Sequence, residues 1–142
     1  MIRLTAEEIR HIGLFESLTG VEVKDCVIDE EKDFITFLVK ENQVAKAVGR
    51  NGSKIRRIQR VLGKNIEVVE FSENPEKFVR NILAPAKLDR VEIIERENGE
   101  RIAVVYVDFQ NRKLVIGKRG RKINNAKKLA LRHFNIANIV LK

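Results

Sequence analysis

The chain has 142 residues, a net charge of +8 and a pI near 9.8, and 44% of its residues are apolar. This length allows one ordinary domain or two very small ones, and the apolar fraction argues against a disordered chain. The single cysteine, Cys26, excludes a disulfide framework and a cysteine-rich zinc site. No apolar run approaches the ~18–20 residues that a membrane helix needs. We therefore expect a cytoplasmic basic protein with no membrane partner.

The first half of the chain predicts the element order α-β-β-α-α-β. Thr5 and Glu8 have the spacing of a capping box, which begins a helix that we expect to end at Gly20. Hydrophobic periodicity and β-branched residues then predict two strands, a short helix, a longer helix and a last strand, over residues 21–28, 34–40, 42–48, 53–62 and 66–71.

The second half repeats this order of elements. Asn74 is a good N-cap and Pro75 suits the first position of a helix that ends before Pro85. Asn98-Gly99 is a strong hairpin signal between two β-rich runs, and a two-residue hairpin would place Ile93 opposite Val104. A short helix, a longer helix and a last strand are predicted over residues 110–116, 121–133 and 136–141.

Two glycine-containing segments lie at equivalent places in the two halves. Residues 48–55 read Val-Gly-Arg-Asn-Gly-Ser-Lys-Ile and residues 116–123 read Ile-Gly-Lys-Arg-Gly-Arg-Lys-Ile, with an offset of 68 residues. A unit of about 70 residues that occurs twice predicts two small domains of one fold. We place these domains at residues 1–72 and 73–142 and, since almost no linker separates them, expect them to pack rigidly against each other.

Both glycine segments lie in stretches of the chain that contain no acidic residue. Seven basic residues lie between Glu41 and Glu67, and nine lie between Asp108 and the terminal Lys142. A solvated surface normally mixes both signs of charge, so two basic stretches without acids favour a polyanionic partner. The alternative is that the basic helix faces serve only solubility.

Each glycine segment connects two predicted helices, and we call residues 49–52 loop 1 and residues 117–120 loop 2. Because glycine has no Cβ, a sugar-phosphate chain can approach the backbone of such a loop closely. The N-terminus of the following helix adds N–H donors and a partial positive charge. Basic side chains surround the same points, namely Arg50, Lys54, Lys118, Arg119, Arg121 and Lys122.

An aliphatic-Gly-x-x-Gly-x-x-Ile loop between two helices resembles the signature of the KH domain, whose loop binds the backbone of about four nucleotides. With a helix and a strand before the core, each half resembles the type II KH arrangement. Together the two halves resemble the archaeal form of the NusA transcription factors over nearly the whole chain. Bacterial members carry a polymerase-binding domain and an OB-fold domain as well, for which 142 residues leave no room.

The resemblance implies an α+β fold of two tandem type II KH domains that bind single-stranded RNA in transcription elongation and termination. Since the two domains are expected to cover each other, we expect a monomer. The resemblance also implies that RNA polymerase or the transcription complex is a partner to test. The implied RNA-binding residues are Gly49, Arg50, Asn51, Gly52, Lys54 and Arg57 in the first half, and Gly117, Lys118, Arg119, Gly120, Arg121 and Lys122 in the second. Loop 1 is less charged than loop 2, so loop 2 is expected to contribute more affinity.

Two other classes of function compete with this interpretation. An enzyme is disfavoured because the segment from Gly49 to Lys54 lacks the spacing of a Walker A loop and the basic loops lack clustered carboxylates for a metal. We therefore expect no catalysis, no cofactor and no metal. A KH-type component of ribosome assembly or ribosomal RNA processing would share every feature above, and its partners would distinguish it.

Overall fold

The computed structural model describes residues 3–29, 31 and 33–142 of the chain, so Met1, Ile2, Glu30 and Lys32 of the predicted first domain lie outside the described residues. The described residues form two compact units, Arg3–Phe71 and Ser72–Lys142. Each unit is a mixed α+β structure with one three-stranded sheet. The boundary at residue 72 and the rigid packing of the two domains stay predictions.

The first unit has the predicted order of elements. In chain order they are α1 (Ala6–Thr19), β1 (Val23–Asp29), β2 (Phe34–Val39), α2 (Val44–Val48), a 3₁₀ turn (Arg50–Gly52), α3 (Ser53–Leu62) and β3 (Asn65–Glu70). The central strand β2 pairs antiparallel with β1 and parallel with β3. Because β2 and β3 are parallel, the chain must cross over between them, and it does so through α2, loop 1 and α3.

The capping box of α1 is confirmed. The Thr5 N–H donates to Glu8 Oε1 at 2.8 Å, and the Glu8 N–H donates to Thr5 Oγ1 at 3.1 Å. The core behind the sheet contains Phe15 and Phe37, whose stacked rings have centroids 4.2 Å apart. Cys26 is buried in this core, as expected of a small apolar residue.

The second unit repeats the topology of the first. Its elements are α4 (Pro75–Leu83), β4 (Arg90–Glu95), β5 (Arg101–Tyr106), α5 (Phe109–Ile116), a second 3₁₀ turn (Lys118–Gly120), α6 (Arg121–Phe134) and β6 (Ile136–Leu141). The predicted N-cap of α4 is confirmed, since Asn74 Oδ1 accepts from the Lys77 N–H at 3.0 Å. The central strand β5 pairs antiparallel with β4 and parallel with β6, so α5, loop 2 and α6 form the crossover.

The predicted register of the β4–β5 hairpin is wrong by one residue. Ile93 pairs with Ala103 instead of Val104. The reason is a three-residue connection, in which the Arg96 N–H donates to the Glu100 carbonyl at 2.7 Å and Gly99 has a φ of 83°. A glycine in the left-handed region closes this longer loop with a bulge, and a shift of one residue moves side chains to the opposite face.

The N-cap of α5 gives a pH-dependent contribution to stability. Asp108 Oδ1 accepts from the Asn111 N–H at 2.8 Å and from Asn111 Nδ2 at 3.1 Å. These hydrogen bonds, the backbone one first, hold the pKa of the Asp108 carboxyl below its ordinary value. A carboxyl whose pKa is lowered by folding stabilises the fold above its unfolded pKa of about 3.9, and this contribution is lost as the pH falls through the folded pKa.

We therefore expect the free energy of unfolding of Asp108→Asn to fall less steeply than that of the wild type in urea titrations from about pH 6 to about pH 2. Asparagine keeps the hydrogen-bond acceptor but does not titrate, whereas Asp108→Ala removes both and should be less stable at every pH. Identical pH profiles for the wild type and Asp108→Asn would contradict this assignment.

Candidate nucleic-acid interface

Loops 1 and 2 have the same backbone geometry. The first glycine has φ 80° and ψ 173° at Gly49 and φ 76° and ψ 173° at Gly117. The third residue is left-handed in both loops, with φ 54° and ψ 30° at Asn51 and φ 56° and ψ 27° at Arg119. In each loop the N–H of the last glycine donates to the carbonyl of the first at 3.1 Å. Since the middle residues differ between the loops, the glycines determine this shape.

The first glycine of each loop lies against the start of the following helix. A Cβ on Gly49 would lie 2.7 Å from Lys54 Cγ and 3.0 Å from the Lys54 backbone nitrogen. A Cβ on Gly117 would lie 2.7 Å from Lys122 Cβ and 2.9 Å from the Lys122 backbone nitrogen. No side chain fits at these distances, so the first glycine is required for the close approach of loop and helix.

The second glycine occupies the N-cap position of the following helix. Gly52 precedes α3 and Gly120 precedes α6, and both have left-handed φ, 74° and 73°. Side-chain oxygens cap the N-termini of α1, α4 and α5, from Thr5, Asn74 and Asp108. Glycine offers no such oxygen, and the Ser53 and Arg121 N–H groups at the starts of α3 and α6 donate instead to the backbone carbonyls of Arg50 and Lys118. The N-terminus of a helix suits a phosphate because its N–H groups and its dipole both attract negative charge.

The surface around these helix starts is basic. Predicted loop residues whose side chains lie in solvent are Arg50, Asn51, Arg57, Lys118 and Arg119. Arg121 is half-buried at the first position of α6. The four cations of the exposed group form no ion pair with a carboxylate of residues 3–29, 31 or 33–142. A helix N-terminus normally prefers acidic side chains, so cations there indicate an anionic ligand.

The structure places Lys54 and Lys122 differently from the sequence-based expectation. The Lys54 ammonium donates to the carbonyl of Lys46 at 3.1 Å and approaches that of Thr19 at 3.5 Å, at the C-terminal ends of α2 and α1. Helix C-termini attract cations, which explains why this side chain turns inward. Lys122, at the equivalent place, is only 7% exposed. The Lys54 side chain is half-buried and bonded to the backbone of a neighbouring helix, and Lys122 is buried.

Arg56 belongs to the surface of loop 1, although the sequence analysis did not select it. Its Nη1 donates to the backbone carbonyl of Asn51 and lies 3.1 Å from the place where a Cβ on Gly52 would be. Its spacing in the sequence could have identified it, because a residue four positions after the N-cap lies on the same helix face as the N-cap itself.

Exposed apolar side chains on α5 approach loop 2 along the helix. Phe109, Leu114 and Ile116 are 82%, 49% and 38% exposed. Ile116 directly precedes loop 2, and its equivalent before loop 1, Val48, is half-buried. The apolar residue before the loop is therefore more accessible in the second unit than in the first.

Within residues 3–29, 31 and 33–142, no group of three or more His, Cys, Asp or Glu side chains could hold a metal ion. In the same part of the chain, no helix has the length and apolarity that crossing a bilayer requires.

Comparison with known proteins identifies the family. The family model of the KH domain matches residues 8–97, and that of the NusA-like second KH domain matches residues 75–140. A probable transcription termination protein NusA of Methanocaldococcus jannaschii is 36% identical over 138 residues, which cover 97% of this chain and 74% of that protein. The chain belongs to the NusA family of KH-domain proteins.

Two further matches cover almost the full length of both chains. The probable transcription termination protein NusA of Halococcus morrhuae is 35% identical over 140 residues, which cover 99% of this chain and 98% of the relative. The crystal structure of APE1850 superposes with a TM-score of 0.84 at 36% identity, covering 98% of this chain and all of that one. The α+β fold of two tandem KH domains, predicted from the repeated loops, is confirmed by these matches.

Proposed function

We propose that this protein binds single-stranded RNA during transcription elongation and termination, through loops 1 and 2. The observation that carries the proposal is the repeated arrangement at the starts of α3 and α6. In both places a glycine N-cap, which has no side chain, precedes a helix with exposed cations around its start, inside a stretch without acidic residues. Membership of the KH family supports RNA as the ligand, and the names of the relatives support transcription as the process.

In the proposed mechanism the RNA backbone approaches the starts of α3 and α6, where the glycine N-caps have no side chain that would block it. The positive ends of the two helix dipoles attract the phosphates there. The exposed cations Arg50, Arg57, Lys118 and Arg119 neutralise neighbouring phosphates, with Arg121 beside loop 2. Lys54 and Lys122 position the loops from below, since their side chains face the protein.

We propose that the protein acts by binding and not by catalysis, and that it does so in the cytoplasm as a monomer. The site consists of glycine backbone, N–H donors and cations, which hold an anion but provide no nucleophile or general base. Because the relatives are named as transcription termination proteins, we propose the transcribing RNA polymerase complex as the setting in which the RNA is bound.

Fluorescence anisotropy with single-stranded RNA, single-stranded DNA and duplex RNA of equal length tests the proposal. Single-stranded RNA is expected to bind at least about tenfold more tightly than the other two, because KH loops hold unpaired strands and contact sugar as well as phosphate. If about six phosphates are neutralised, log K should fall with log salt at a slope near −4. Equal affinity for the three nucleic acids would instead indicate a general polyanion surface and overturn the proposal.

A further inference from the structure

The two loops differ in the charge of their own residues. The two middle residues are Arg50 and Asn51 in loop 1 but Lys118 and Arg119 in loop 2. Loop 1 therefore lacks one of the two cations of loop 2. The missing charge is at the left-handed third position, where the backbone angles of Asn51 and Arg119 agree within a few degrees.

A cation from α3 lies beside the place where loop 1 lacks one. The Arg56 guanidinium donates to the Asn51 carbonyl and lies beside Gly52, while its side chain is exposed to solvent. The equivalent residue of the second unit, 68 positions later, is Asn124, whose Nδ2 lies 3.4 Å from the place of a Cβ on Gly120. The side chain four residues after the second glycine thus reaches the same place in both units, but it is charged only in the first.

The first unit thus has asparagine in the loop and arginine on the helix, whereas the second unit has arginine in the loop and asparagine on the helix. From this exchange we propose that Arg56 is an RNA-phosphate-binding residue of loop 1 that replaces the cation missing at Asn51. This inference rests on the proposed function and names a further residue of the same site. Each loop then presents two cations, Arg50 and Arg56 at loop 1 and Lys118 and Arg119 at loop 2. With Arg56 included, we expect the two loops to contribute similarly to the RNA affinity, instead of a larger contribution from loop 2.

The chemistry of Arg56 suits this role. A guanidinium has five N–H donors in a planar fork, so the bond to the Asn51 carbonyl leaves donors for a phosphate beside the start of α3. That bond also orders the side chain before RNA arrives, which lowers the entropy lost on binding. Asparagine adopts the left-handed conformation of position 51 more readily than arginine does, so loop 1 has its second cation on the helix instead.

Exchange variants test the proposal by RNA anisotropy titration. Arg56→Asn should weaken binding about tenfold and make the salt slope shallower by about 0.7, the loss of one phosphate contact on a single strand. The double variant Asn51→Arg/Arg56→Asn gives loop 1 the arrangement of loop 2 and should restore the affinity to within about threefold of the wild type. Arg60→Asn is the matched control, since it removes the same charge from an exposed position one turn further along α3.

The reciprocal exchange in loop 2 repeats the test independently. Arg119→Asn should weaken binding about tenfold, and Arg119→Asn/Asn124→Arg should restore it. Thermal unfolding midpoints of all variants separate binding from folding, and no variant is expected to unfold at the titration temperature, since all five positions are exposed.

The outcomes separate this inference from the proposed function. If Arg56→Asn binds like Arg60→Asn, or if the exchange does not restore binding, Arg56 has no such role, even when Arg119→Asn weakens binding as expected. If the wild type shows no preference for single-stranded RNA, the proposed function itself fails. Loss with Arg56→Asn, recovery with the exchange and a neutral Arg60→Asn would together support the inference.

Discussion

Placing aspartate at the two middle positions of both loops at once is expected to lower the affinity for single-stranded RNA by about 1,000-fold. The variant is Arg50→Asp/Asn51→Asp/Lys118→Asp/Arg119→Asp, and all four side chains lie in solvent. Charge-assisted hydrogen bonds contribute about 2 kcal/mol each. Losing one such contact in each loop lowers the affinity by about 30-fold per loop, or about 1,000-fold when the losses add. The new carboxylates also repel the phosphates.

The two single-loop variants measure the same effect in parts. Arg50→Asp/Asn51→Asp and Lys118→Asp/Arg119→Asp should each lose about 30-fold in anisotropy titrations at about 0.1 M salt, where exposed charges are not fully screened. A matched control is Lys77→Asp/Lys87→Asp, which changes the net charge as much as the loop 2 variant does, at exposed positions outside both loops. If the control loses as much affinity as the loop variants, the RNA responds to net charge and the loops are only helix connections.

The order of the elements, and their bounds to within about two residues, could be predicted because local chemistry determines them. The capping box at Thr5, the glycine after Leu62 and the proline at position 75 each mark a helix end through backbone hydrogen bonding. Helix α3 and strand β6 begin and end at the predicted residues, Ser53–Leu62 and Ile136–Leu141. Such signals involve residues a few positions apart, so the sequence alone contains them.

The β4–β5 register could not be predicted in the same way. Asn98-Gly99 fits both a two-residue and a three-residue hairpin, and the choice is decided by pairing along the whole hairpin. The structure uses Glu97 as a third loop residue, and the Glu100 N–H donates to Asn98 Oδ1 at 2.9 Å. A single added residue exchanges the two faces of a strand, which is why Ile93 lies opposite Ala103.

The candidate site was predictable as a set of loops but not as a set of side-chain directions. The spacing of the glycines and the absence of acids predict where an anion binds, and that place stays a prediction. Whether a lysine beside the loop points outward depends on which carbonyls other helices bring near it, and Lys54 meets those of α1 and α2. Arg56 was missed for the complementary reason, since its guanidinium returns to the loop from the next helical turn.

The first and second glycines of the loops should respond differently to alanine. Gly117→Ala is expected to lower the free energy of unfolding by about 3 kcal/mol, because the backbone there is accessible almost only to glycine and a Cβ would collide with Lys122. Gly120→Ala should cost only about 1 kcal/mol, the penalty of left-handed φ, since its Cβ would meet nothing closer than Asn124 Nδ2 at 3.4 Å. Urea titrations of the two variants measure this difference.

Gly120→Ala, the less destabilising of the two variants, should nevertheless weaken RNA binding. The Cβ of Gly120→Ala would lie at the N-terminus of α6, where the RNA backbone is proposed to approach. We therefore expect a folded protein whose affinity for single-stranded RNA falls about tenfold. Gly49→Ala and Gly52→Ala repeat the comparison in loop 1, where the distances are 2.7 Å to Lys54 Cγ and 3.1 Å to Arg56 Nη1. Equal stability losses at the first and second glycines would contradict the close approach of loop and helix, and full affinity in Gly120→Ala would argue against a phosphate at that helix start.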